Sequence, residues 1–207
     1  MMSKDRLRIK VIDYGAGNLR SILNACHYLG YKAEIAKVPS HLHDADRIIL
    51  PGVGNFGKAM KELEKFKAVI KEKVSEGVAF LGICLGIQVI LEESEEAPNV
   101  KGLGLVKGRC LRFPSNLKVP HMGWNTIDIS NPDCPLLKGI KSKSYFYFVH
   151  SYYPRVEDES IIVAKTNYGI NFPSIISDEN LFATQFHPEK SGKLGLKILK
   201  NFLEYKH

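Results

Sequence analysis

The chain has 207 residues, 44% of them hydrophobic and 25% charged, with a formal net charge of +7. The composition is that of an ordinary globular protein, long enough for one domain with a proper core or two small ones, and no apolar run approaches the roughly 18 residues of a membrane span. Much of the lysine alternates with glutamate, as in residues 58–67, and no arginine-rich stretch is interleaved with aromatics, so the positive balance does not support nucleic-acid binding.

The opening MMSKDRLRIKVIDYG runs from a short polar lead straight into a strand and shows no signal-peptide core, which predicts a cytoplasmic protein. Residues 8–14 form that strand, ending at Gly15-Ala16-Gly17. Asn18 can cap a helix reaching about residue 29, with Leu19, Ile22, Leu23 and Cys26 at helical spacing. Strands follow at 31–36 and 47–50, the second stopped by Pro51-Gly52. His41-x-His43, between them, lies in a polar stretch and reads as a solvated loop. A long helix over 58–75, a strand over 78–83 and a helix over 85–93 complete the first half.

This alternation predicts a mostly parallel sheet with helices on both faces, which binds ligands outside the carboxyl ends of its strands. The glycine turns at 52–54 and 82–86 both fall at such ends. The second half is richer in strands, at 105–113, 126–129, 145–152, 161–165, 174–177 and 181–186, before a last helix over 192–205. The change of style near residue 100 predicts an antiparallel extension of one α/β domain spanning residues 1–207.

None of the four cysteines, at 26, 84, 110 and 134, forms a C-x-x-C pair, which argues against zinc, and a cytoplasmic setting argues against disulfides. No metal is expected. Three of the four read as packing residues. Cys84 differs, because in FLGICLGIQVI it stands between Gly82 and Gly86 where an apolar strand gives way to a helix. Glycines at −2 and +2 permit a tight bend, and the helix start behind the sulfur favours a thiolate, as at a nucleophile elbow. A nucleophile needs a base, and the base an orienter. Phe186-His187-Pro188-Glu189 supplies both: the proline keeps His187 extended at a strand end, and Glu189 can accept from its imidazole. The backbone N–H of Leu85 is one candidate donor for an oxyanion, and the Pro51-Gly52-Val53-Gly54 turn is the other, its glycines allowing close approach or a peptide flip.

Gly82-x-Cys84-x-Gly86-x-Gln88 together with Phe186-His187-Pro188-Glu189 resembles the class I (triad) glutamine amidotransferases over nearly the whole chain. The resemblance implies their three-layer α/β fold and no cofactor. It implies that Cys84 attacks the side-chain carboxamide of glutamine, that His187 moves the protons and Glu189 holds it, and that Gln88 helps bind the substrate. Four further motifs are similar to those of the glutaminase subunits of imidazole glycerol phosphate synthase in histidine biosynthesis: Asp13-Tyr14-Gly15-x-Gly17-Asn18-Leu19, Leu50-Pro51-Gly52-Val53-Gly54-Asn55-Phe56, Pro120-His121-Met122-Gly123-Trp124-Asn125, and Tyr147-Phe148-Val149-His150-Ser151-Tyr152. In that family the glutaminase forms a heterodimer with a (β/α)8-barrel cyclase of the HisF type, which receives the ammonia. The match puts Trp124 and Tyr147 at the junction, and His150-Ser151 where the backbone meets glutamine. The sole tryptophan, in a Gly-Trp-Asn turn, suits an exposed interface. His121 and His150 themselves read as structural histidines. Two alternatives differ in use: the same chemistry feeding a surface-sugar amidotransferase, or a non-catalytic gating subunit. The second is disfavoured because Cys84, His187 and Glu189 are all present.

Overall fold

The computed structural model describes residues 7–206, so most of the polar lead, residues 1–6, lies outside the described residues. Four parallel strands form first: β1 (Ile9–Ile12), β2 (Ala33–Ala36), β3 (Arg47–Gly52) and β4 (Ala79–Cys84). They are linked by helices α1 (Leu19–Tyr28) and α2 (Phe56–Ser75), and α3 (Leu85–Val89) starts directly after β4. Asn18 and Asn55 cap α1 and α2, each accepting from a backbone N–H three residues on.

The later strands are β5 (Glu93–Ser94), β6 (Gly108–Arg112), β7 (His121–Thr126), β8 (Asp128–Ile129), β9 (Tyr145–His150), β10 (Tyr152–Val156), β11 (Ile162–Asn167), β12 (Asn171–Asp178) and β13 (Leu181–Thr184), followed by helix α4 (Gly192–Leu203). The main sheet has the order β2-β1-β3-β4-β13-β12-β11-β8. β13 runs parallel to β4, and β12, β11 and β8 extend the sheet antiparallel.

Alternate residues of the buried strands feed two cores, as the pleat requires. Val11, Ile49, Leu81 and Ile83 pack with α1 and α4 on one face. Ile12, Ile48, Leu50 and Phe80 pack with α2 and α3 on the other. The result is three layers, as expected, with the carboxyl ends of β1, β3, β4 and β13 converging at one edge.

The predicted helix over 85–93 stops at Val89. The amides of Leu103 and Leu105 take the carbonyls of Val89 and Ile90, and Gly102 comes so close that a Cβ there would overlap the Leu91 carbonyl. The single strand expected over 145–152 is two strands. Ser151 breaks it, giving its carbonyl to Phe113, and β10 then pairs with β6 in a separate sheet of order β10-β6-β5. The strand expected over 126–129 is divided at Ile127, whose side chain turns into the core. Trp124 lies on a strand, not in a turn, because β7 pairs residue by residue with β9.

Candidate active site

Cys84 is the last residue of β4 and caps α3 with φ of +55°, a left-handed conformation that a non-glycine residue adopts at a cost. The flanking glycines make this bend feasible. A Cβ on Gly82 would lie 2.9 Å from the Gly86 carbonyl carbon, and one on Gly86 would overlap the Leu50 carbonyl. Gly52 stands beside Cys84 in the β3–β4 register. The elbow and the 52–54 turn are therefore neighbours.

β13 brings the imidazole to the same edge. The His187 amide donates to the Tyr147 carbonyl (3.0 Å), and its Nδ1 meets Glu189 Oε1 at 2.8 Å. Both side chains are almost fully buried. His187 Nε2 has no hydrogen-bond partner among the described residues and is the nitrogen free for chemistry. Burial alone would lower the His187 pKa. The neighbouring Cys84 thiolate, and then the Glu189 carboxylate, outweigh it and push the value up to about 10. A proton on His187 and a negative charge on Cys84 therefore favour each other.

A cavity of about 340 Å³ opens beside the sulfur, lined by Val53, Gly54, Cys84, Leu85, Gln88, Glu96, Pro120, Val149, His150, Ser151 and Tyr152. Its size suits a small ligand such as an amino acid. Seven residues singled out from the sequence line it; Gly52 stands just behind, and His187 and Glu189 lie outside its wall. Gln88 is buried, and its amide donates to the Tyr152 carbonyl (2.9 Å) and to Gln185 Oε1 (3.3 Å).

Two site residues escaped the sequence reading. Gln185 is buried with its amide nitrogen 3.9 Å from Cys84 Sγ, and its only signal was a polar residue in an apolar strand. Glu96 reaches the cavity while its Oε2 accepts from the Phe56 amide at the start of α2 (2.7 Å). It sits in the run Glu92-Glu93-Ser94-Glu95-Glu96, where nothing marks which acid turns inward.

A hydrogen-bonded chain runs from the β7–β9 pair to the cavity. His150 Nδ1 faces the Tyr152 carbonyl at 2.9 Å and so carries the proton; His150 Nε2 then accepts from His121 Nδ1 at 2.9 Å. Asn125 Nδ2 completes the chain onto His121 Nε2 (3.2 Å) and the Asn167 carbonyl (2.9 Å). Burial lowers the His121 pKa to about 4, and burial first, then the His121 and His187 charges, lowers that of His150 to about 3 despite the Tyr152 carbonyl. Both therefore stay neutral. The unfolded chain binds their protons more readily, so their stabilisation is complete above the unfolded pKa near 6.5 and is lost as the pH falls through the folded values. The His187 contribution runs the other way and is lost above neutrality. Urea midpoints are expected to reveal a loss on the order of 2 kcal/mol between about pH 6.5 and 5, above the main carboxylate range. A flat profile there would contradict neutral burial of the pair.

An α/β sheet with a left-handed cysteine elbow, a buried His–Glu pair and an amino-acid-sized cavity at its carboxyl edge defines the class of site: a candidate cysteine nucleophile beside a histidine–carboxylate pair. The family model for class I glutamine amidotransferases matches residues 10–205. The chain is 56% identical over 196 residues to the imidazole glycerol phosphate synthase subunit HisH of Methanocaldococcus jannaschii, covering 95% of this chain and 98% of that one. It is 52% identical over 200 residues to the protein of that name from Methanosarcina acetivorans, at 95% and 98% coverage. Among solved structures it resembles PurLQS from Thermotoga maritima, with a TM-score of 0.78 at 22% identity over 96% of this chain and 98% of that one. A structure described as a glutamine amidotransferase gives 0.75 at 21% identity, over 95% and 97%. The chain belongs to the class I glutamine amidotransferase family, in its branch of HisH subunits of imidazole glycerol phosphate synthase.

Proposed function

We infer that this chain hydrolyses L-glutamine through a Cys84–His187–Glu189 triad and delivers the ammonia to a HisF-type (β/α)8-barrel cyclase. The observation that carries this reading is the cysteine elbow, whose sulfur faces a small cavity beside an imidazole held by a buried carboxylate.

Glutamine enters with its carboxamide at Cys84 and its α-ammonium toward Glu96, the carboxylate on the cavity wall. The thiolate adds to the carboxamide carbon. The resulting oxyanion is met by the Leu85 N–H and by an N–H of the 52–54 turn. The tetrahedral centre collapses as His187 gives its Nε2 proton to the leaving nitrogen, releasing ammonia and leaving a glutamyl thioester. His187 then takes a proton from water, which attacks the thioester, so that glutamate leaves and the thiolate–imidazolium pair returns. Glu189, bound to Nδ1, keeps Nε2 as the working nitrogen.

The β7–β9 pair supplies the docking surface. Met122, Trp124 and Tyr145 are 62%, 56% and 59% exposed on one face of it, a concentration of apolar area that fits a partner interface. Trp124 and Tyr147 meet edge to face there, with centroids 6.2 Å apart. The opposite face carries Phe146 and Phe148 into the core against Phe186.

The test is co-purification with candidate barrel cyclases, followed by glutaminase assays of each complex with and without the acceptor nucleotide. Retention on a HisF-type barrel with acceptor-dependent ammonia release is expected. No binding to any such barrel would overturn the partner assignment. A glutamine analogue with an electrophilic side chain is expected to label Cys84 alone, since of the four buried cysteines it is the one that lines the cavity. Burial pushes the Cys26 and Cys134 thiols up, Cys26 to about 12, and raises that of Cys110 further. Peptide mapping that finds the label on Cys26 or Cys110 would sink the assignment.

A further inference from the structure

The Asp13-Tyr14-Gly15-Ala16-Gly17-Asn18 turn has no part in the chemistry above, yet it packs directly on the 52–54 turn. A Cβ on Gly17 would stand 3.6 Å from both Gly52 Cα and the Pro51 carbonyl oxygen, and one on Gly52 would overlap the Tyr14 hydroxyl. Asp13 Oδ1 accepts from the Gly15 amide (3.0 Å) and Asn18 Oδ1 from the Ser21 amide (3.2 Å), which fixes the turn at both ends.

Tyr14 is 3% exposed and belongs to the same buried core as Leu50, Phe56 and Leu85. Its hydroxyl is buried and has no hydrogen-bond partner among the described residues. Buried hydroxyls are ordinarily bonded, and phenylalanine would fill an apolar site without the desolvation cost. The oxygen therefore points to an acceptor that this arrangement of the chain does not offer. Burial and then the charge of the Cys84 thiolate raise the phenol's pKa, so it remains a donor.

We propose that the Tyr14 hydroxyl is the donor that holds the Gly52–Val53 peptide with its N–H toward the oxyanion, making Tyr14 a positioning residue for glutamine hydrolysis. A peptide flip exchanges the faces of N–H and C=O. The state that turns the Val53 N–H into the cavity turns the Gly52 carbonyl away from it, and Tyr14, which does not line the cavity, lies against Gly52 to receive that carbonyl. The hydroxyl is then unpaired in the resting state and paired in the working one, a difference that biases the turn toward catalysis once the partner favours it. This rests on the glutaminase reading above.

The test compares wild type, Tyr14→Phe and Cys84→Ala as full chains in complex with the cyclase. Tyr14→Phe is expected to lower kcat about tenfold or more while KM stays within about twofold, with the thermal midpoint of the free chain at or above wild type. Cys84-dependent hydrolysis that keeps its wild-type kcat in Tyr14→Phe would overturn this proposal alone. So would a loss of activity that follows a lowered midpoint and a raised KM, which marks a merely structural residue. Hydrolysis that survives Cys84→Ala would overturn the glutaminase reading, and this proposal with it.

Discussion

Replacing Cys84 with alanine is expected to reduce glutamine hydrolysis by at least roughly three decades while leaving folding and partner binding nearly intact. The substitution removes the nucleophile and only one buried sulfur atom, so stability should change by about 1 kcal/mol or less. Cys84→Gly is expected to be equally inactive but more stable than Cys84→Ala by about 1 kcal/mol, because glycine accepts the φ of +55° without strain. Strain held at the proposed nucleophile is what an elbow that aims its side chain into a site would carry. Chemical denaturation of the two variants measures it, and a Cys84→Gly variant less stable than Cys84→Ala by about 0.4–1 kcal/mol, the entropic cost of glycine, would show that the elbow is unstrained. His187→Ala should be comparably damaging to activity, and Glu189→Gln less so if the carboxylate mainly orients the imidazole.

The isolated chain is expected to be nearly inactive, with partner and acceptor nucleotide together raising turnover by roughly two to four decades, several kcal/mol of barrier. A free glutaminase would waste glutamine, and the site contains the parts for a switch. The 52–54 turn has two glycines, Gly54 at φ of +110°, beside the elbow, and can present either a carbonyl or an N–H to the oxyanion. The β7–β9 pair links the proposed docking face to the candidate catalytic groups. Tyr147, paired with Trp124, holds the His187 amide through its carbonyl and the Ser191 hydroxyl through its own amide, and the Val149 carbonyl lies 3.7 Å from Cys84 Sγ. A partner that binds one state of this layer better shifts the equilibrium by its difference in affinity. Steady-state rates for the free chain, the complex and the complex with acceptor provide the measurement. A free chain as fast as its complex would show that no such coupling exists. A mutation favouring the N–H-inward turn should raise the basal rate and shrink the stimulation.

The candidate catalytic edge was legible because local chemistry dictates its geometry. Gly82-x-Cys84-x-Gly86 announces a bend that only small flanking residues allow, and His187-Pro188-Glu189 announces an extended histidine beside an acid. The parallel half was equally readable, since β1, β3 and β4 are buried on both faces and the half is bounded by caps and glycines. The second half was not. Whether residues 145–152 make one strand or two depends on Phe113 claiming the Ser151 carbonyl, a long-range event with no local sign. The helix after the elbow ended early because residues 102–105, distant in sequence, took its carbonyls. Gln185 and Glu96 were missed for the same reason: what distinguishes them is the neighbour they face, not their own surroundings in the chain.

The most direct test of the central claim is to catch the acyl-enzyme. The complex with its cyclase, turning over isotopically labelled glutamine in the presence of acceptor, is quenched rapidly in acid and mapped by mass spectrometry. The account predicts a glutamyl thioester on the peptide containing Cys84, absent from Cys84→Ala. Turnover without any covalent adduct, or an adduct on another residue, would contradict it.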